Sequence, residues 1–172
     1  MNQFNLRRAT TEDADLIADI SRYTFYKTFA KDNKQEDIDH FMYEQFGRQK
    51  LVDEVFDAQN IFLLAYDKNK VAGYAKIKTN ILTTKKGSHE AVEIARLYAM
   101  PEYIGCGVGS TLMQACIDYG STQKKETVWL GVWKKNQRAI DFYKKWGFEK
   151  FATHFFQLGD DVQTDWLMRK WI

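Results

Sequence analysis

The chain has 172 residues, the size of one domain, and its 45% hydrophobic and 15% aromatic content supplies a core and excludes a disordered chain. A formal net charge of +2 is too small for a dedicated nucleic-acid or membrane-surface binder. The opening "MNQFNLRRAT" has no apolar secretion core, and runs such as Ile61–Tyr66 are too short to span a bilayer, so a cytoplasmic protein is expected.

Phe4–Thr10 alternates as a strand. Thr11–Phe29 carries Leu16, Ile20, Tyr23, Phe25 and Phe29 at helical spacing, with Thr11 as N-cap and acids in its first turn. Gln35–Phe46 and Arg48–Asp57 read as two short helices. "NIFLLAYD" and "KVAGYAKIKT" read as a hairpin around the polar turn Asp67–Lys70. Thr83–Glu90 reads as a loop and Ala91–Ala99 as a strand that Pro101 ends.

The stretch "YIGCGVGS" follows, and then a helix whose face is Val108, Leu112, Met113, Cys116 and Ile117. Thr127–Trp133 is a strand. The next helix has Asn136 as N-cap and Gly147 as left-handed C-cap. "EKFATHFFQL" and "TDWLMRKWI" close the chain as a strand pair around the turn Gly159–Asp161. Strands come first in hairpins and later alternate with helices, so the sheet is expected to be mixed, in one domain over 1–172.

Cys106 and Cys116 lie ten apart, and His40, His89 and His154 form no ligand cluster, so no metal is expected. Gly105, Gly107 and Gly109 run from a strand into a helix, where orphan N–H groups and the helix dipole favour a phosphate. The Walker pattern is absent, and the spacing GxGxG is not that of a dinucleotide fold. On spacing alone, a purely structural turn or another nucleotide ligand stays open.

"LYAMPEYIGCGVGSTLM" followed by "WLGVWKKNQRAIDFYKKWGF" resembles the two signatures of the GCN5-related N-acetyltransferase (GNAT) superfamily. "TFYKTF", "KVAGYAKI", "WLGVW" and "GDDVQTD" make the chain most similar to the bacterial spermidine/spermine acetyltransferases. The resemblance implies an α/β fold. Its sheet is mixed, mostly antiparallel and twisted, of about seven strands, flanked by helices and split between strands four and five. It implies acetyl-CoA as cosubstrate, no metal, and a small polycationic amine as acceptor, with no nucleic acid or membrane partner. Acetyl transfer to a protein or another small amine, and a non-catalytic acyl-CoA-binding regulator, stay open.

Residue by residue, the resemblance implies a pyrophosphate loop over Ile104, Gly105, Cys106, Gly107, Val108, Gly109 and Ser110, with Ile104 where the family usually has Gln or Arg. It implies Leu97, Tyr98 and Ala99 along the cofactor arm, and Asn136 and Lys145 further out. Tyr143 is implied as the acid that protonates the leaving sulfur, against a reading as a core tyrosine. Glu93 is implied as the base, direct or through water, or else as a substrate ligand. By strict alternation it shares a face with Ala95 and Leu97, away from Arg96. An acidic, aromatic acceptor wall is expected from Tyr26, Glu36, Asp37 and the neighbouring acids, with His154 in the late hairpin, unless that helix face is merely solvated. Trp166 and Trp171 either belong to the core or mark a homodimer interface.

Overall fold

The computed structural model describes residues 4–84, 87–158 and 161–172. Seven strands form one sheet: β1 (Asn5–Arg8), β2 (Asn60–Asp67), β3 (Lys70–Thr84), β4 (Gly87–Ala99), β5 (Thr127–Trp133), β6 (Glu149–Leu158) and β7 (Asp161–Trp171). Their order is β1-β2-β3-β4-β5-β7-β6, antiparallel throughout except for the parallel pair β4–β5. The helices are α1 (Ala14–Phe29), α2 (Gln35–Glu44), α3 (Arg48–Phe56), α4 (Val108–Thr122) and α5 (Gln137–Lys145). The mixed, split sheet expected from the sequence is the one observed.

Each face of the sheet is buried by helices whose apolar stripes the sequence supplies. Val108, Leu112, Met113 and Cys116 of α4 and Ile140 and Tyr143 of α5 pack with Val92, Ile94, Val128, Leu130 and Met168. On the other face, Ile17 and Ile20 of α1 meet Phe62, Leu64 and Tyr74, while Ala18, Ile38, Met42 and Leu51 join α1, α2 and α3 to Leu158 of β6. Trp166 packs against the first of these cores, and Trp171 is half-exposed at the end of β7.

Three places differ from expectation by three residues or more. A single 3-10 turn, Thr11–Asp13, precedes α1, so Thr11 is not its cap. The Asp13 carboxylate accepts from the Thr10 N–H (2.8 Å) and from both terminal nitrogens of Arg7 (2.7 and 2.6 Å). The Arg7 bonds outweigh burial and hold Asp13 at about 2. The expected loop at Thr83–Glu90 is mostly strand, because β3 and β4 pair out to Thr84 and Gly87. Thr83, Gly87, Ser88 and Glu90 of that stretch are exposed and the Thr83 and Ser88 hydroxyls meet at 3.1 Å, while Lys85 and Lys86 lie outside the described residues; polarity alone does not separate ribbon from loop. β7 begins at Asp161 rather than Thr164; the remainder of the expected turn, Gly159 and Asp160, lies outside the described residues.

Candidate active site

β4 and β5 pair only from Ala91–Ile94 against Thr127–Leu130. Beyond Ile94 the two strands diverge, and a cavity of about 330 Å³ opens between them. Ile94–Ala99 form one wall, Gly131–Trp133 the other; Tyr143, Asn136 and Ala139 line it from α5, and Phe25, Phe29, Phe41 and Phe156 from the opposite face. The cavity therefore passes through the sheet and touches both helical layers.

The divergence frees backbone groups. Met100 donates its N–H to the Ala72 carbonyl of β3 at 2.8 Å. Strand alternation then turns the N–H groups of Leu97 and Ala99 the other way, into the split. β3 lies close enough to β4 that a Cβ on Gly73 would stand 2.5 Å from the Tyr98 carbonyl oxygen, which keeps this wall tight.

The glycine loop sits beside the same opening. Ile104 is exposed and lines the cavity. Gly105 and Gly107 have φ of +85° and +95°, the left-handed region that an L side chain enters only with strain, and nothing lies within 4 Å of a Cβ built at either. The loop is thus shaped by its glycines and open on its outer side, which fits an anionic ligand laid against bare backbone. Cys106 and Ser110 are exposed, and Val108 is buried in the core as an anchor. The first bond within α4 is Thr111 N–H to the Gly107 carbonyl (3.0 Å), which leaves the N–H groups of Val108, Gly109 and Ser110 at the helix start for a ligand. Gly107→Ala is expected to lower stability by about 1 kcal/mol and to weaken acetyl-CoA binding several-fold, read by urea unfolding and calorimetry; unchanged cofactor affinity would separate the loop from ligand binding.

Tyr143 is buried at the α5 wall, packed edge-on to Phe142 with centroids 5.5 Å apart, and burial pushes its hydroxyl up to about 12. It is both a core residue and a lining residue, so the two readings of its spacing coexist. Asn136 likewise does two things: its Oδ1 accepts the Ala139 N–H at 3.2 Å as N-cap, and it lines the cavity. Lys145 is exposed and stands outside the lining. Burial pushes the Cys116 thiol up to about 12, so it is a core group and no nucleophile.

Glu93 is placed differently from its expected face. Ala95 is an extra residue in β4: Arg96 pairs with Lys76 and Ile94 with Ile77. This bulge breaks the alternation. Ile94, Leu97 and Ala99 pack toward α4, and Glu93 falls on the side of Arg96 and Tyr98. Its Oε2 accepts from Asn80 Nδ2 at 3.0 Å, and it stands outside the cavity lining.

The expected acceptor residues also lie outside that lining. Glu36 is exposed and Asp37 half-buried, both in the first turn of α2, and the Tyr26 hydroxyl is engaged with Gln35 (2.9 Å). His154 is exposed on β6, directly opposite Asp165 of β7. Asp165 does line the cavity and was not singled out from the sequence. Burial pushes its carboxyl up to about 6, with the nearby His154 acting in the other direction. Nothing in the local pattern marks it: Gln163 and Thr164 before it are polar and only Trp166, Leu167 and Met168 after it are apolar, so Asp165 reads as an ordinary strand acid. Arg96, the cation on the β4 wall, is committed to Glu54 of α3 through two bonds of 2.6 and 3.1 Å.

The geometry agrees with what the chain resembles as a whole. Residues 22–148 match the model of the acetyltransferase (GNAT) family, and the chain belongs to that family of acetyl-CoA-dependent N-acetyltransferases. It is 32% identical over 99% of its length, and 98% of the other's, to a Lactobacillus delbrueckii subsp. lactis protein described as "Uncharacterized N-acetyltransferase in pepI 3'region". It is 26% identical to a Thermoplasma acidophilum spermidine N(1)-acetyltransferase, over 84% of this chain and 87% of that one. Its fold also matches the crystal structure of the PaiA N-acetyltransferase of Thermoplasma acidophilum in complex with coenzyme A, with a TM-score of 0.79, 24% identity and 99% of each chain covered.

Proposed function

We propose that this N-acetyltransferase moves the acetyl group of acetyl-CoA to a primary amine of a polyamine, spermidine or spermine, by direct attack with both substrates bound. The carrying observation is the cavity that crosses the sheet at the β4–β5 split, with Tyr143 on one side and an aromatic acceptor wall on the other. Acetyl-CoA supplies an activated thioester; the chain supplies the positions. The loop from Gly105 to Ser110 takes the pyrophosphate with backbone N–H groups. The Leu97 and Ala99 N–H groups bind the cofactor arm as an added strand and oppose the charge that develops on the thioester oxygen. Tyr143, protonated throughout the neutral range, gives its proton to the departing sulfur. Lys145, exposed beyond the opening, is a ligand for the outer phosphate.

A polyamine is supported by the spermidine acetyltransferase relative and by Phe25, Phe29, Phe41, Phe156 and Trp133 on the acceptor side, which suit a long cation with methylene spacers. The acids of α2 stand at the periphery and attract polycations at longer range. The test is thiol release from acetyl-CoA with spermidine, spermine, putrescine, lysine peptides and N-terminal peptides. Turnover confined to the polyamines is expected; preference for a peptide moves the acceptor class, and cofactor binding without turnover favours a regulator. Glu93 acts in this scheme only through relayed water, since it lies outside the lining. Glu93→Gln is expected to change kcat less than threefold, and a lost limb in its pH–rate profile would reinstate it as base.

A further inference from the structure

We propose that Asp165 is the carboxylate that receives the acceptor ammonium at the split and takes its proton. The assignment rests on the acetyl-transfer reading of the same cavity. Asp165 lies opposite Trp133 of β5 and His154 of β6, at the level where β5 has left β4. Gly131 puts no side chain against the carboxylate; a Cβ there would lie in ordinary contact with Asp165 Oδ2, at 3.7 Å. Asp165 Oδ1 is buried and has no hydrogen-bond partner among the described residues. A buried carboxylate oxygen with no donor is costly, and an arriving ammonium supplies the missing donor and the missing charge together.

The other ionisable groups around it do not fill this role. Arg96 of β4 shares the cavity, but its guanidinium is paired with Glu54. Arg138 of α5 lines the cofactor side with Asn136 and Ala139. Burial holds Tyr98 and Tyr143 protonated, and the Asp165 charge holds the Tyr98 proton more firmly still. His154, on the exposed strand β6, is the group that opposes the upward push on Asp165. β5 contributes only the uncharged Gly131, Val132 and Trp133 here.

The proton balance closes with these residues. Asp165 accepts one proton from the bound ammonium, and the freed nitrogen lone pair forms the C–N bond to the thioester carbonyl carbon. The C–S bond breaks, and Tyr143 protonates the sulfur. The second proton of the newly acylated nitrogen replaces the one that Tyr143 gave. Asp165 returns its proton to solvent, so one proton is released for each amide formed. A free primary amine holds its proton about four pK units more tightly than Asp165 does, and pairing widens that gap, so at most about one bound amine in 10⁴ has passed its proton to the carboxylate at a time, and Asp165 acts as anchor first and base second.

The experiment is the pH dependence of kcat/KM for spermidine in the wild type and in Asp165→Asn. The active carboxylate is the deprotonated form. Wild-type kcat/KM is therefore expected to hold above pH about 6 and to fall tenfold per unit below it. Asp165→Asn is expected to lose at least tenfold at pH 7, to lack the limb near 6, and to close on the wild type as pH approaches the pKa of the amine. A variant with kcat/KM within twofold of wild type, or one that keeps the limb, overturns the assignment. The wild type itself provides a second reading by carbon NMR of the Asp165 carboxyl. Added spermidine should move its titration to lower pH, and an unmoved titration overturns the proposal even if the variant does not fold. A wild type silent toward every amine removes the parent reading and this one together; an active wild type matched by its Asn variant removes this one alone.

Discussion

Tyr143→Phe is expected to lower kcat by about 10²–10³-fold while leaving the dissociation constant for acetyl-CoA within twofold of wild type. The substitution keeps the ring and therefore its packing against Phe142 and Phe148. Only the hydroxyl goes, and with it the proton that the proposed scheme gives to the departing sulfur. Stability should change by less than about 1 kcal/mol, because no large cavity forms. Burial has raised this hydroxyl to about 12, so Tyr143 carries its proton at every pH where the enzyme works and adds no limb of its own to the neutral profile. The measurement is steady-state kinetics with calorimetry of acetyl-CoA binding. An unchanged kcat would return Tyr143 to its packing role alone.

The contrast between Tyr143 and Glu93 marks how far the sequence can be read. Tyr143 sits on α5, a helix whose two ends are signalled by Asn136 and Gly147. Helical periodicity then carries its position forward without error, so the tyrosine reaches the split. The glycine loop is equally legible, because positive φ at Gly105 and Gly107 is a demand that residue identity answers directly. Glu93 sits on β4, where one inserted residue, Ala95, moves Glu93 onto the Arg96 face. Nothing local in "VEIARLYA" announces that insertion. Asp165 was illegible for a related reason. The role proposed for it rests on Gly131 of β5 and on the end of pairing at Ile94 and Leu130, and both are facts of the assembled sheet.

The other large effect lies in the wall of the cavity rather than in its chemistry. Glu54 of α3 binds Arg96 through both carboxylate oxygens and also Lys76 of β3 at 3.0 Å. Lys76 is 3% exposed, so two cations and one anion share a site largely removed from water. Burial by itself would raise Glu54, but Arg96 and Lys76 more than offset it and hold the carboxyl below its usual range. Glu54→Gln leaves both cations without their anion and is expected to cost about 3–5 kcal/mol, read from the urea midpoint. The cluster carries one excess positive charge, and burial together with Arg96 pushes Lys76 down to about 8. Lys76→Met removes that excess and leaves a neutral Arg96–Glu54 pair, so it should be neutral or stabilising by about 1 kcal/mol. The pH dependence fixes the signs. Glu54 is depressed in the folded state, so its contribution is present above its unfolded pKa and fades as acid titrates the folded carboxyl. Lys76 is depressed too; between pH about 8 and about 10.5 the unfolded chain binds more protons at this site, and stability should rise with pH across that window. The alkaline rise should vanish in Lys76→Met, and its persistence there would mean that another group titrates. Because Arg96 stands in the β4 wall of the split, Glu54→Gln should also loosen the acceptor side and raise the KM for the amine more than that for acetyl-CoA.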